Sequence, residues 1–290
     1  NIESRDPEQV RSGNERVIRP RFSDAAFFWE QDLKRPLGAH IDGLKAVVFQ
    51  KQLGSLFDKS QRVGQLAREI APALELDPLL AARAAELCKC DLLTLMVGEF
   101  PSLQGTMGRH YARAGNEDDQ VSAAMEEHYL PRHAGDRLPE TASGLALAIA
   151  DRLDTLVGIF AIDQKPSGVK DPFGLRRAAL GVLRILIETP LELDLEQLLQ
   201  SAARSLEGQV EAEAVVPEVF DYMMERFKAY YAERGLAADL VDSVLARRPT
   251  RPSDFDRRIH AVAAFRALPE ASSLAAANKR IRNILRKAEE

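Results

Sequence analysis

Leu87-Cys88-Lys89-Cys90-Asp91-Leu92-Leu93 is the stretch on which the reading of this chain turns. It lies between Leu56-Phe57-Asp58-Lys59-Ser60-Gln61-Arg62-Val63 and Ala150-Asp151-Arg152-Leu153-Asp154. All three segments carry helical spacing. Ser60, Val63, Ala67 and Ile70 recur every three or four residues and form one buried stripe. Asp77-Pro78 opens a helix, because Asp caps free amides and Pro at the first helical position loses no hydrogen bond. Leu80, Ala84, Leu87 and Asp91 then share roughly one face, which delivers Asp91 inward. A carboxylate brought inward needs a partner. Lys59 is the candidate, pairing with Asp91 or Asp151 unless it is a solvated lysine. Pro139-Glu140-Thr141 restarts the helix that carries Asp151 and Asp154 three residues apart.

The order of these segments resembles the helical metal phosphohydrolases of the HD class. That class places a His one turn before a helix-borne Val, then a His-Asp pair, then a final Asp in an Ala-x-x-Asp-x-Leu-like stretch. Here Lys59 stands at the first His, Cys90 at the second, and Asp91 and Asp151 at the acids. His128 matches a further histidine of that class, or is a helix-end His bonded to backbone. A hydrolytic divalent metal is held by imidazoles and carboxylates with an open position for water. An ammonium has three donors and no lone pair. The resemblance therefore implies a degenerate metal site, with no metal and no catalytic residue, in a frame that persists.

The 290 residues are 46% hydrophobic, enough for a real core and for two domains. No apolar run approaches the length of a membrane span, so no membrane partner is expected. Cys88 and Cys90, one residue apart, cannot staple a fold, and reduced cytoplasmic thiols are the natural reading. The start lacks an initiator Met and the end lacks a cap, so both termini read as cut from a longer protein.

Outside the central stretch, the pattern stays helical. Asp6-Pro7 starts a helix expected to break or kink at Pro20 and resume through Phe22, Phe27, Phe28 and Trp29, whose rings form a core face or a stacking platform. The 97–112 segment reads as a glycine-punctuated connection with short helical pieces, a shaped loop whose glycines lack a phosphate-cradling order. Asp171-Pro172 opens a helix bearing Arg176 and Arg177, which serve packing or face phosphates. Thr189-Pro190 is the best boundary. Net charge is −5, yet from Arg247 to Lys287 eleven Lys or Arg stand against three acids, a local excess of +8. Such an excess marks a phosphate-facing surface or a solvated helix face.

Six long motifs extend the resemblance. Phe49-Gln50-Lys51-Gln52-Leu53-Gly54-Ser55, Met96-Val97-Gly98-Glu99-Phe100-Pro101-Ser102-Leu103-Gln104-Gly105, Glu127-His128-Tyr129-Leu130-Pro131, Ile149-Ala150-Asp151-Arg152-Leu153-Asp154-Thr155-Leu156, Asp171-Pro172-Phe173-Gly174-Leu175-Arg176-Arg177 and Leu274-Ala275-Ala276-Ala277-Asn278-Lys279-Arg280-Ile281 are similar to the beta subunit of bacterial glycyl-tRNA synthetase. So are the shorter Asn1-Ile2-Glu3-Ser4 and Leu268-Pro269-Glu270-Ala271.

The resemblance implies an all-α chain: an HD-like helical domain followed by a helical extension. Residues 1–40 would lead from a preceding domain, 41–189 would form the degenerate HD-like domain, and 190–290 would run toward an anticodon-binding-like region. It implies a non-catalytic tRNA-recognition and assembly module of glycine–tRNA ligase, an alpha2-beta2 enzyme. The alpha subunit would use ATP and magnesium, and this chain would bind no cofactor. The tRNA-facing candidates are Arg176, Arg177, Arg247, Arg248, Arg251, Arg257, Arg258, Lys279, Arg280 and Arg282. The alternatives are a metal-dependent phosphohydrolase using Asp91, His128 and Asp151, and a purely structural spacer.

Overall fold

Capping chemistry sets the first boundary: Asp6 accepts from Gln9 N at 3.1 Å and α1 runs Pro7–Asp32. A computed structural model describes residues 6–189 and 191–289, without the side chains of residues 272, 279, 282, 283 and 286–289. Asn1-Ile2-Glu3-Ser4 and Pro190 therefore lie outside the described residues. α1 continues through Pro20, where a break or kink was expected. Proline removes one ladder hydrogen bond, and at an exposed turn water can satisfy the freed carbonyl. Phe22 and Phe27 are exposed, so the expected aromatic core face holds only in part. Trp29 stacks on Tyr111 with ring centroids 5.3 Å apart. At the end of α1, buried Asp32 accepts from Leu95 N, Met96 N and Tyr111 Oη at 2.7–3.0 Å.

Two 3-10 turns lead into an antiparallel hairpin, β1 (Val48–Gln50) with β2 (Gly54–Ser55), pairing Val48 with Ser55 and Gln50 with Gly54. Gly54 takes φ 82°, a conformation that costs glycine little. Ser55 caps α2 (Leu56–Ile70) through a reciprocal capping box with Asp58. α3 (Pro78–Leu87) opens on the Asp77 cap as expected. It ends at Leu87, however, so Asp91 lies in a 3-10 turn, Cys90–Leu93, beyond the helix. α4 (Leu95–Glu99), α5 (Thr106–Ala114) and α6 (Asp119–Glu127) follow.

α7 (Ala142–Ala161) is buried on nearly all sides and packs against α2, α6, α8 (Leu175–Glu188) and α9 (Leu195–Arg204). Small residues make this possible. A Cβ on Gly158 would stand 3.0 Å from the buried Leu53 at the hairpin tip. α10 (Val216–Met224), α11 (Arg226–Ala232), α12 (Ala238–Leu245), α13 (Pro252–Arg266) and α14 (Ala271–Glu289) complete the chain. One hydrophobic cluster extends from Leu37 to Ile259. The fold is all-α, with one two-stranded hairpin among the described residues. No helix among them is long and apolar enough to cross a membrane.

Candidate functional site

Three elements bring the predicted residues together: α2 supplies Lys59, the turn after α3 supplies Lys89, and α7 supplies Asp151 and Asp154. Lys59 is 3% exposed. Its ammonium lies 2.8 Å from Asp154 Oδ2, 3.2 Å from Asp151 Oδ1 and 2.8 Å from Thr155 Oγ1. The Phe49 ring of the hairpin covers it at 4.7 Å. Arg62, one turn along α2, donates to Asp154 Oδ1 at 2.6 Å, to the Leu53 carbonyl at 3.0 Å and to Gln209 Oε1 at 2.9 Å.

Of the two acids offered to Lys59, Asp151 receives it and Asp91 does not. Asp91 instead accepts from Gly105 N at 2.6 Å, at the entry to α5, and burial raises its carboxyl above the usual range. The reason is the early end of α3. Beyond Leu87 the chain passes through a turn at Cys88-Lys89 and then a 3-10 segment, Cys90–Leu93, so the α-helical projection no longer applies. Lys89, not Asp91, meets the acids of α7. Cys90 turns away, its Sγ directed at the Glu86 carbonyl 3.5 Å off, and burial pushes its thiol up.

Lys89 is the residue that sequence reasoning missed. Its ammonium lies 2.9 Å from His128 Nε2, 3.3 Å from Asp151 Oδ2 and 4.6 Å from the Tyr129 ring centroid. Burial alone would lower its pKa, but Asp151 raises it. His128 caps α6 with Nδ1 3.0 Å from the Ala124 carbonyl. A carbonyl only accepts, so Nδ1 carries the proton and Nε2 offers its lone pair to Lys89. Burial and the Lys89 charge hold His128 well below its ordinary value. Burial would raise Asp151, yet Lys59 and Lys89 hold it well below the usual carboxylate range. His128 is thus a helix-end histidine bonded to backbone, with its other nitrogen on Lys89.

This set does not fit a divalent metal. Two ammonium groups bracket Asp151, and the pair Cys90–Asp91 points elsewhere. Among the described residues no group of three His, Cys, Asp or Glu is placed to hold an ion. What the arrangement does is bind three segments through charge, with Lys59, Arg62 and Lys89 against Asp151 and Asp154.

Beside the cluster opens a cavity of about 570 Å³, whose wall includes Asp151, Arg152, Arg132 and Arg177. Arg152 donates to the carbonyls of Ala148, His128, Tyr129 and Pro131 at 2.9–3.1 Å and so fixes the loop after α6. Burial lowers its pKa to about 10. Of the predicted arginine pair, Arg177 lines this cavity, whereas Arg176 donates to the Gly168 carbonyl at 2.5 Å.

The other predicted basic residues do not line it. Arg248 pairs with Asp221 at 3.1 Å, Arg257 with Glu192 at 2.5 Å and Arg258 with Asp254 at 2.7 Å. Arg247, Arg251 and Arg280 are exposed, and the side chains of Lys279 and Arg282 lie outside the described residues.

A family model described as glycyl-tRNA synthetase beta subunit matches residues 1–246. The chain is 58% identical over 287 residues to the glycine–tRNA ligase beta subunit of Hahella chejuensis, covering 99% of this chain and 41% of that protein. The beta subunits of Marinobacter nauticus and Salmonella schwarzengrund are 56% and 54% identical over 99% and 100% of the chain. The chain thus spans about two fifths of the length of the curated relatives it matches.

Proposed function

The chain belongs to the glycyl-tRNA synthetase beta subunit family, and from that premise we propose that it is a non-catalytic tRNA-holding and assembly module of a glycine–tRNA ligase. In this reading the alpha subunit partners it in an alpha2-beta2 enzyme of the cytoplasm and spends ATP with magnesium on the glycylation. Residues 41–189 serve as a degenerate HD-like domain and 190–290 as a helical extension toward anticodon recognition. The observation that carries the non-catalytic part is the pair of ammonium groups on Asp151, 3.2 and 3.3 Å from its two oxygens. A carboxylate so engaged offers neither a metal site nor a general base.

Support for RNA contact comes from the exposed arginines near α12 and α13. Their ion pairs lie at the surface, where such pairs contribute about 0–1 kcal/mol, so a phosphate can take over a guanidinium at small cost. Reversal of Arg247, Arg248, Arg257 and Arg258 to Glu in the assembled enzyme should weaken tRNA association more than about tenfold and flatten its salt dependence. Filter binding across a salt series measures this. Unchanged association and slope would reject the RNA-holding role of that face.

A further inference from the structure

The cavity beside Asp151 has features that the ion-pair cluster does not require. Arg132 and Arg177 are exposed at its wall, and neither has a carboxylate within ion-pair distance among the described residues. Arg152 behind them is a guanidinium held by four carbonyls and no acid. A buried cation without a counter-ion is costly, and the cost falls when an anion arrives. Asp151 is the one acid in the wall, and Lys59 and Lys89 already neutralise it. The cavity therefore presents a net positive field.

Its other surfaces are equally specific. Phe173, Gly174 and Tyr129 are among its lining residues. Asp151 Oδ1 is buried against Lys59 at 3.2 Å and Oδ2 faces Lys89 at 3.3 Å, so both oxygens are engaged inside the protein. A phosphate needs guanidinium groups, and a base needs an aromatic face. About 570 Å³ falls in the range of sites for small organic ligands.

We propose that this cavity binds the phosphate of a single nucleotide unit, with Arg132 and Arg177 on the phosphate and the base against Phe173. The unit is either a free nucleotide or an unpaired nucleotide of an RNA strand, since both present the same chemistry. No bond is made or broken there. The site stands apart from the arginines of α12 and α13, so it does not depend on their contacting RNA.

The test titrates AMP calorimetrically into the full chain, its Arg132→Gln/Arg177→Gln variant, and an Arg11→Gln/Arg19→Gln control on α1. Both pairs are exposed, so neither is required for the core. AMP should bind the parent and the control alike and bind the first variant more than about tenfold more weakly, the loss of one or more charge-assisted contacts. A second arm adds AMP to the complex with labelled tRNA. Displacement identifies the natural ligand as an RNA nucleotide, and binding without displacement identifies a free one. Absence of AMP binding, or equal binding by the Arg132/Arg177 variant, overturns the proposal while leaving the tRNA reading to its own experiment.

Discussion

Lys89 and His128 show how much one proton decides here. His128 is neutral because its Nε2 accepts from an ammonium 2.9 Å away, and a second proton would set cation against cation. Its folded pKa lies below the unfolded value near 6.5, so the folded state resists protonation that the unfolded chain accepts. The stability it contributes is complete above about pH 6.5 and is lost as the pH falls toward the folded pKa. Asp151, also depressed, adds a further loss below the usual carboxylate range near 4, while Asp91, raised by burial, works in the opposite direction. Urea titrations between pH 7.5 and 5 should therefore show stability falling by up to about 1.4 kcal/mol per pH unit in the parent. His128→Gln should flatten that slope, and a parent without a slope would contradict the assigned tautomer.

Between elements, Asp154 is the pin. It joins α2 to α7 by receiving Lys59 and Arg62 together, and Arg62 carries the link on to Leu53 of the hairpin and Gln209. Asp154→Ala leaves buried Arg62 without its acid and Lys59 with only Asp151, which Lys89 also engages, a class of change that costs about 3–5 kcal/mol. Chemical denaturation should show a loss of that size, and a loss below about 1 kcal/mol would mean that the network is not what registers these helices.

The helices themselves were legible. Asp77-Pro78 announces α3 and the apolar spacing announces α2, whereas α8 opens only at Leu175, after Gly174, with Asp171 accepting from Leu175 N and Arg176 N from the turn before it. Lys59 and Asp151 were legible as a pair for the same reason, since both sit on regular helices. Lys89 was not, because the turn at Cys88-Lys89 after Leu87 takes the chain out of helical phase, and no cap or proline marks the change. The hairpin escaped too. It has only three residues in one strand and two in the other, with no alternating run to betray it.

At the scale of the whole molecule, a net charge of −5 coexists with a basic end and a cation-walled cavity, so charge position matters more than charge sum. Sequence placed the basic end but not the cavity, whose wall draws Arg132, Arg152 and Arg177 from a loop, α7 and α8. Only tertiary folding assembles such a set. Asp151, the acid at the centre of the α2–α7 cluster, is held by two ammonium groups, a set that does not fit a divalent metal. Manganese and zinc titration of the purified protein, read by elemental analysis after desalting, tests that claim most directly. The account predicts no stoichiometric metal, and the same result for Asp151→Asn; one tightly held ion per chain, lost in Asp151→Asn, would contradict it.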